Sequence, residues 1–189
     1  FFTSRGYACL AVIYRGSAGF GRSYRSALRG RWGELDVADA VSGAKALAER
    51  GLADPSRLTI KGGSAGGYTV LNSLIRHPGL LRAGICLYGV SNLFTLSDAT
   101  LKFEKHYLDT MVGRLPDDQE KFRAWSPAFH AEGIRDPLAV FQGEEDTVVP
   151  PSQSGEIAAA LAEAFKTEPE QVAQASTRNA AELFALPQG

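Results

Sequence analysis

Residues 62–67 read Gly62-Gly63-Ser64-Ala65-Gly66-Gly67. A serine with glycines two residues before and two after it suits a hydroxyl lifted out on a tight turn. Neighbouring Cβ atoms would clash in such a turn, and the strain it carries is what exposes the oxygen. The chemistry that needs this arrangement is acyl transfer. The hydroxyl attacks a carbonyl, an acyl-enzyme forms, and water releases it. The helix that follows aims its N-terminus at the reacting atoms, so the Ala65 amide is the candidate donor to a developing oxyanion. The pattern alone is weak in a chain with 20 glycines. Its weight comes from a strand before it and a helix after it.

Activation of a serine needs a base, and the base needs a carboxylate to hold its tautomer. In elbow-type sites the chain order is serine, acid, histidine. The segment Gly143-Glu144-Glu145-Asp146-Thr147 places Asp146 82 residues after Ser64 (146 − 64), at the end of a later strand. Asp146 is the expected acid, with Glu144 and Glu145 as the alternatives. The three histidines, His77, His106 and His130, all precede it. His77 lies at the far end of the helix that starts at Ser64, roughly 20 Å away at ~1.5 Å per residue. His130 precedes a strand and belongs to the opposite edge of the sheet. His106 alone falls on the correct side, and its expected role is at a pocket rim.

The elements that must position these groups alternate. Tyr7–Tyr14 (YACLAVIY) is an uncharged run rich in β-branched and aromatic residues, expected as a buried parallel strand. Further strands are expected at 57–61, 83–88 and 137–142. Leu35, Ala38, Val41, Ala44 and Ala48 recur at helical spacing, and Gly51 closes that helix. A helix from Ala65 to Arg76 stops at Pro78-Gly79. Residues 92–130 break the rhythm and read as a helical insertion. Pro150-Pro151 opens a helix carrying Ile157, Leu161 and Phe165. A last helix holds Val172, Leu183 and Phe184, with Thr167 and Glu170 at capping-box spacing. Alternation of this kind predicts an α/β fold with a mostly parallel sheet and helices on both faces. Sites in such sheets lie at the C-terminal ends of the strands.

Composition narrows the function classes. The chain has 189 residues, 20 Lys+Arg against 21 Asp+Glu, and a formal net charge of −1. That balance gives no basic surface for nucleic acid or an anionic membrane. No apolar run approaches the ~20 residues of a membrane span. Cys9 and Cys86 sit in apolar runs and are expected as buried free thiols rather than a disulfide framework or a zinc site. No metal-ligand spacing or cofactor motif occurs, and none is expected. The working expectation for compartment is the cytoplasm.

Four segments together resemble one family: Tyr14–Arg22 (YRGSAGFGR), Arg31–Glu34 (RWGE), Gly62–Tyr68 and Phe141–Asp146 (FQGEED). They are similar to the prolyl oligopeptidase family of serine peptidases, especially its acylaminoacyl-peptidase-like branch. The likeness covers roughly residues 1–155. It implies an α/β-hydrolase fold truncated at its N-terminus, a short-peptide substrate, and a β-propeller upstream in the full protein. It implies Ser64 as nucleophile, Asp146 as acid, and Val90 and Leu93 in the substrate pocket. It also implies an oxyanion loop of His-Gly-Gly-Pro type before residue 1 and a histidine about 30 residues after Asp146. Neither is present in these 189 residues. The expected organisation is a partial catalytic domain at 1–165 and an atypical helical tail at 166–189. The tail is similar, over a short stretch, to the last helices of TatD-type metal-dependent deoxyribonucleases, without their metal ligands. Structurally it reads as an amphipathic closing helix with Val172 and Leu183 inward. An esterase of the same fold, or a domain that lost its triad, are the other readings.

Overall fold

The computed structural model describes residues 2–99 and 106–184, the side chains of Ala99, Leu183 and Phe184 excepted. Three strands form one parallel sheet in the order β1-β2-β3: β1 is Thr59–Gly63, β2 Ala83–Leu87 and β3 Leu138–Phe141. Thr59 pairs with Ala83 and Gly63 with Leu87, while Gly84 pairs with Leu138 and Leu87 with Phe141. The helices are α1 (Gly21–Ser26), α2 (Leu35–Glu49), α3 (Ala65–Arg76), α4 (Leu93–Ala99), α5 (Tyr107–Met111), α6 (Gln119–Trp125), α7 (Ser152–Phe165) and α8 (Pro169–Phe184).

Helix α3 lies across β1 and β2, and its apolar stripe is what the sheet buries. Val70, Leu71 and Leu74 join Leu58, Leu81, Cys86, Ile134, Leu138, Ile157 and Leu161 in one core. Val172 of α8 packs against the same core. A second core gathers Leu28, Trp32, Leu35, Tyr68, Val90, Leu93, Leu108, Val112, Phe122 and Val149. It fastens α4, α5 and α6 onto the region before α2. The rings of Trp32 and Tyr68 lie 4.3 Å apart there, and Tyr68 Oη donates to the Trp125 carbonyl at 2.9 Å.

Two boundaries differ from expectation for local reasons. Strand β1 starts two residues later than expected, because Asp54 caps a 3-10 turn over Pro55–Arg57 by accepting from the Ser56 amide. The capping box of α8 is shifted by one residue. The helix begins at Pro169, so Gln171 rather than Glu170 reaches back to the Glu168 amide.

The expected first strand is a correction. Residues 7–14 adopt no regular secondary structure, and Tyr7, Leu10 and Ile13 are 40%, 48% and 55% exposed. A strand exists through its ladder bonds, and among the described residues no backbone amide from Ala8 to Tyr14 donates to a backbone carbonyl. The segment is held at its end instead. Tyr24 Oη donates to the Ile13 carbonyl at 2.7 Å, and the Arg15 amide and guanidinium donate to Asp39. Cys9, expected buried, is therefore exposed, while Cys86 is buried as expected. At the other edge, α8 covers β3. Ser176 Oγ accepts from the Val140 amide at 2.8 Å, and Asn179 Nδ2 donates to the Leu138 carbonyl at 3.0 Å.

Candidate active site

Ser64 stands between the last residue of β1 and the first of α3, with φ 53° and ψ −119°. A non-glycine residue in that region is strained, and the surroundings over-determine it. The Ser64 amide donates to the Leu87 carbonyl of β2 at 3.0 Å, and the Ser64 carbonyl accepts from the Tyr68 amide at 3.1 Å. The hydroxyl does not cap the helix, although serine is a favoured N-cap. The backbone is pinned and the side chain is left free of that duty.

The flanking glycines are needed for close approach. A Cβ on Gly62 would lie 2.3 Å from the Gly66 carbonyl oxygen, and one on Gly67 would lie 2.5 Å from Gly89 Cα. Helix α3 thus meets β1 and the loop after β2 at backbone contact distance. Its first amides, Ala65 among them, have no carbonyl four residues back to bond within the helix.

Asp146 lies beyond the C-terminal end of β3. Because the sheet is parallel, this is the edge at which Ser64 follows β1. Its Oδ1 accepts from the amides of Val148 and Val149 at 2.9 and 3.0 Å. Those bonds fold the carboxylate onto its own loop, and it is half-buried while Glu144 and Glu145 are exposed. Val149 sits in the second core, which anchors the loop from below.

The histidines are engaged elsewhere. His77 follows the last turn of α3 and its pKa is lowered, by burial first and then by Lys45 and Arg76. His130 Nε2 faces the Arg123 carbonyl at 3.2 Å. His106 Nδ1 lies 2.9 Å from Asp109 Oδ2, on a side chain that is otherwise largely in solvent. Val90 and Leu93 are both buried in the second core, so in this structure they stand behind the surface of the loop after β2. Tyr88, the first residue of that loop, is exposed with φ 39°, and its ring lies where a Cβ on Gly63 would project.

Two supporting groups had no clear signal in the sequence. Asp36, in the first turn of α2, is fully buried. It accepts from the Gly33 amide at 2.7 Å and from Thr69 Oγ1 at 2.6 Å, and Thr69 Oγ1 also lies 3.2 Å from the Ala65 carbonyl. Burial pushes its pKa above the ordinary carboxylate value, against the hydrogen bonds from Thr69 and Gly33. Gln153, in the first turn of α7, is also fully buried and fully bonded. Its Oε1 accepts from the Ser91 and Asn92 amides at 2.8 and 2.9 Å, and its Nε2 donates to the Asn92 carbonyl and Thr95 Oγ1 at 3.1 and 2.8 Å. It ties the helix after the Asp146 loop to the loop after β2. Among the described residues no group of three His, Cys, Asp or Glu side chains is placed to hold a metal ion.

A serine on a strained strand-to-helix turn, over a parallel sheet whose later loop carries a half-buried aspartate, defines the α/β-hydrolase class of fold. Solved structures agree. A Mycobacterium tuberculosis puromycin-hydrolyzing peptidase is 43% identical with TM-score 0.77, over 80% of this chain and 23% of that one. A puromycin hydrolase is 36% identical with TM-score 0.78, over 92% and 29%. Among curated proteins, "Dipeptidyl peptidase family member 6" of Caenorhabditis elegans is 34% identical over 84% of this chain and 22% of its own length. The sequence profile of the prolyl oligopeptidase family matches residues 1–178, and this chain belongs to that family. It spans less than a quarter of the length of the Caenorhabditis protein.

Proposed function

We propose that this chain carries the nucleophile and the acid of a serine peptidase that hydrolyses short peptides through an acyl-enzyme. The observation that carries the reading is the strained Ser64 elbow between β1 and α3. Ser64 Oγ attacks the peptide carbonyl, the Ala65 amide donates to the resulting oxyanion, and Asp146 orients the base. Val90 and Leu93, buried behind the loop after β2, support the wall against which the substrate side chain packs. The base is a histidine outside these 189 residues, since none follows His130. An upstream β-propeller that admits only short peptides belongs to the same proposal. So does a cytoplasmic site of action, to which cell fractionation would speak. Among the described residues no helix is long and apolar enough to cross a membrane.

The absence of a histidine after Asp146 favours one other reading, a domain that keeps the scaffold without the chemistry. A fluorophosphonate probe separates the two, because it needs an activated serine. General-base catalysis is worth about 10²–10⁴-fold and an oxyanion donor about 10²–10³. The 189-residue chain is expected to label poorly. The gene product extended in both directions is expected to label strongly and to lose labelling in Ser64→Ala. An extended product that stays unlabelled supports the non-catalytic reading. Labelled enzyme that cleaves simple esters but no peptide supports an esterase instead.

A further inference from the structure

The loop after β2 is clamped by one side chain of α7. Gln153 is fully buried, and its amide group bonds to both backbone amides of Ser91 and Asn92, to the Asn92 carbonyl and to Thr95 Oγ1. Ser91 and Asn92 are the two residues between Val90 and Leu93. Ser91 Oγ donates to the Gln153 carbonyl at 2.6 Å, and Asn92 Nδ2 donates to Glu156 further along α7. From the other side, the Ser91 carbonyl accepts from the Ala128 amide at 2.9 Å, and Ser126 Oγ accepts from the Leu93 amide at 2.9 Å. The backbone groups of Ser91 and Asn92 are thereby all bonded, and the positions of Val90 and Leu93 follow from theirs.

The next residue of α7 faces the other loop. Ser154 Oγ donates to Gln142 Oε1 at 2.9 Å, and Gln142 Nε2 donates to the Val149 carbonyl at 3.1 Å. The Val149 amide in turn donates to Asp146 Oδ1. Two successive residues in the first turn of α7 therefore hold the loops that follow β2 and β3, at the sheet edge where Ser64 follows β1. A buried amide side chain is costly to desolvate unless its donors and acceptor are all met. Here they are met by the backbone of one loop, which makes Gln153 a rigid link rather than a filler of the core.

We propose that Gln153 is a positioning residue for substrate selection, fixing the pocket loop relative to the acid loop so that the side chain before the scissile bond meets a wall at a set distance from Asp146. This rests on the serine-peptidase reading above and adds to it the device that sets the pocket. Gln153 acts through Ser91 and Asn92, which carry Val90 and Leu93 with them. A shift of about 1 Å in such a support costs up to about 100-fold in rate. A substrate with a side chain in the pocket feels that shift, and one with glycine there does not.

The test is kcat/KM of the gene product extended in both directions, for two peptide p-nitroanilides with Leu or Gly before the scissile bond. The readout is the Leu-to-Gly ratio. Loss of folded enzyme, or disturbance of Asp146, slows both substrates alike and cancels in that ratio. Gln153→Leu removes all four side-chain bonds and should lower the ratio at least about 5-fold, within the ~10–200-fold span that apolar pocket contacts command. Thr95→Val removes one Nε2 acceptor and should lower it at least about 2-fold, a smaller part of the same span. Smaller changes in folded Gln153→Leu enzyme, whatever the loss in absolute rate, overturn the inference and leave the peptidase reading intact. A wild type that hydrolyses neither substrate overturns both. Should Gln153→Leu not fold, Thr95→Val decides alone by its own threshold.

Discussion

Asp36 offers the most direct test of how the structure supports its serine. The carboxylate is buried between Gly33 and Thr69, and Thr69 lies one helical turn after Ala65. Burial raises its pKa above the unfolded value. For an acid so placed, both folded and unfolded states are protonated at low pH, and the group then adds no pH dependence. As pH rises through the unfolded value the unfolded chain ionises first. Stability therefore falls, by about 1.36 kcal/mol for each pH step of one between the unfolded and folded values, and levels off above the folded value. Asn at this position keeps the shape. Its oxygen accepts from Gly33, its amide donates to Thr69 Oγ1, and Thr69 donates to the Ala65 carbonyl. The experiment is urea unfolding of wild type and Asp36→Asn from pH 4 to 8. The stability of wild type relative to Asp36→Asn should decline as pH rises above the ordinary carboxylate range. The other groups coupled to Asp36 are Tyr14, Tyr68 and Arg76, which hold their charge states across this window. A wild-type advantage that grows with pH would refute the reasoning, because it would mean that hydrogen bonding outweighs burial. Asp36→Ala should cost about 1–3 kcal/mol at low pH, from the stranded Gly33 donor, and less as pH rises, since wild type alone carries the Asp36 titration.

Other substitutions probe the same framework. Gly67→Ala places a Cβ 2.5 Å from Gly89 Cα. With backbone on both sides it should destabilise by about 1–3 kcal/mol in a melting experiment, whereas Gly66→Ala, with open space around it, should not. Gln153→Leu strands the Ser91 and Asn92 amides. It is expected to cost about 2–6 kcal/mol, two unmet buried donors at about 1–3 each, measured by urea unfolding. In the native 189-residue chain only one thiol should react quickly with Ellman's reagent, and Cys9→Ser should abolish that phase. Burial pushes the Cys86 thiol up to about 12, so it reacts only on unfolding.

Several features were legible in the residues because they are local. Ser64 on its turn, the 3.6-residue stripe of α3, the stop at Pro78-Gly79 and the helix after Pro150-Pro151 each follow from side chains close in sequence. Their backbone needs do not depend on distant partners. The place of Asp146 at the same sheet edge as Ser64 followed from strand order, since parallel strands bring every βα loop to one edge. What the residue string left open depends on contacts between remote segments. Nothing near Asp36 or Gln153 in sequence marks either as buried, and their partners Thr69 and Ser91 lie 33 and 62 residues away. The burial of Val90 and Leu93 arises only when α5 and α6 pack with Trp32 and Tyr68. Residues 7–14 show the reverse case. Their composition has the full pattern of a buried strand, yet a strand is a property of two chains side by side. Without a neighbour bonded to it, even the most strand-like sequence in this protein remains an open edge.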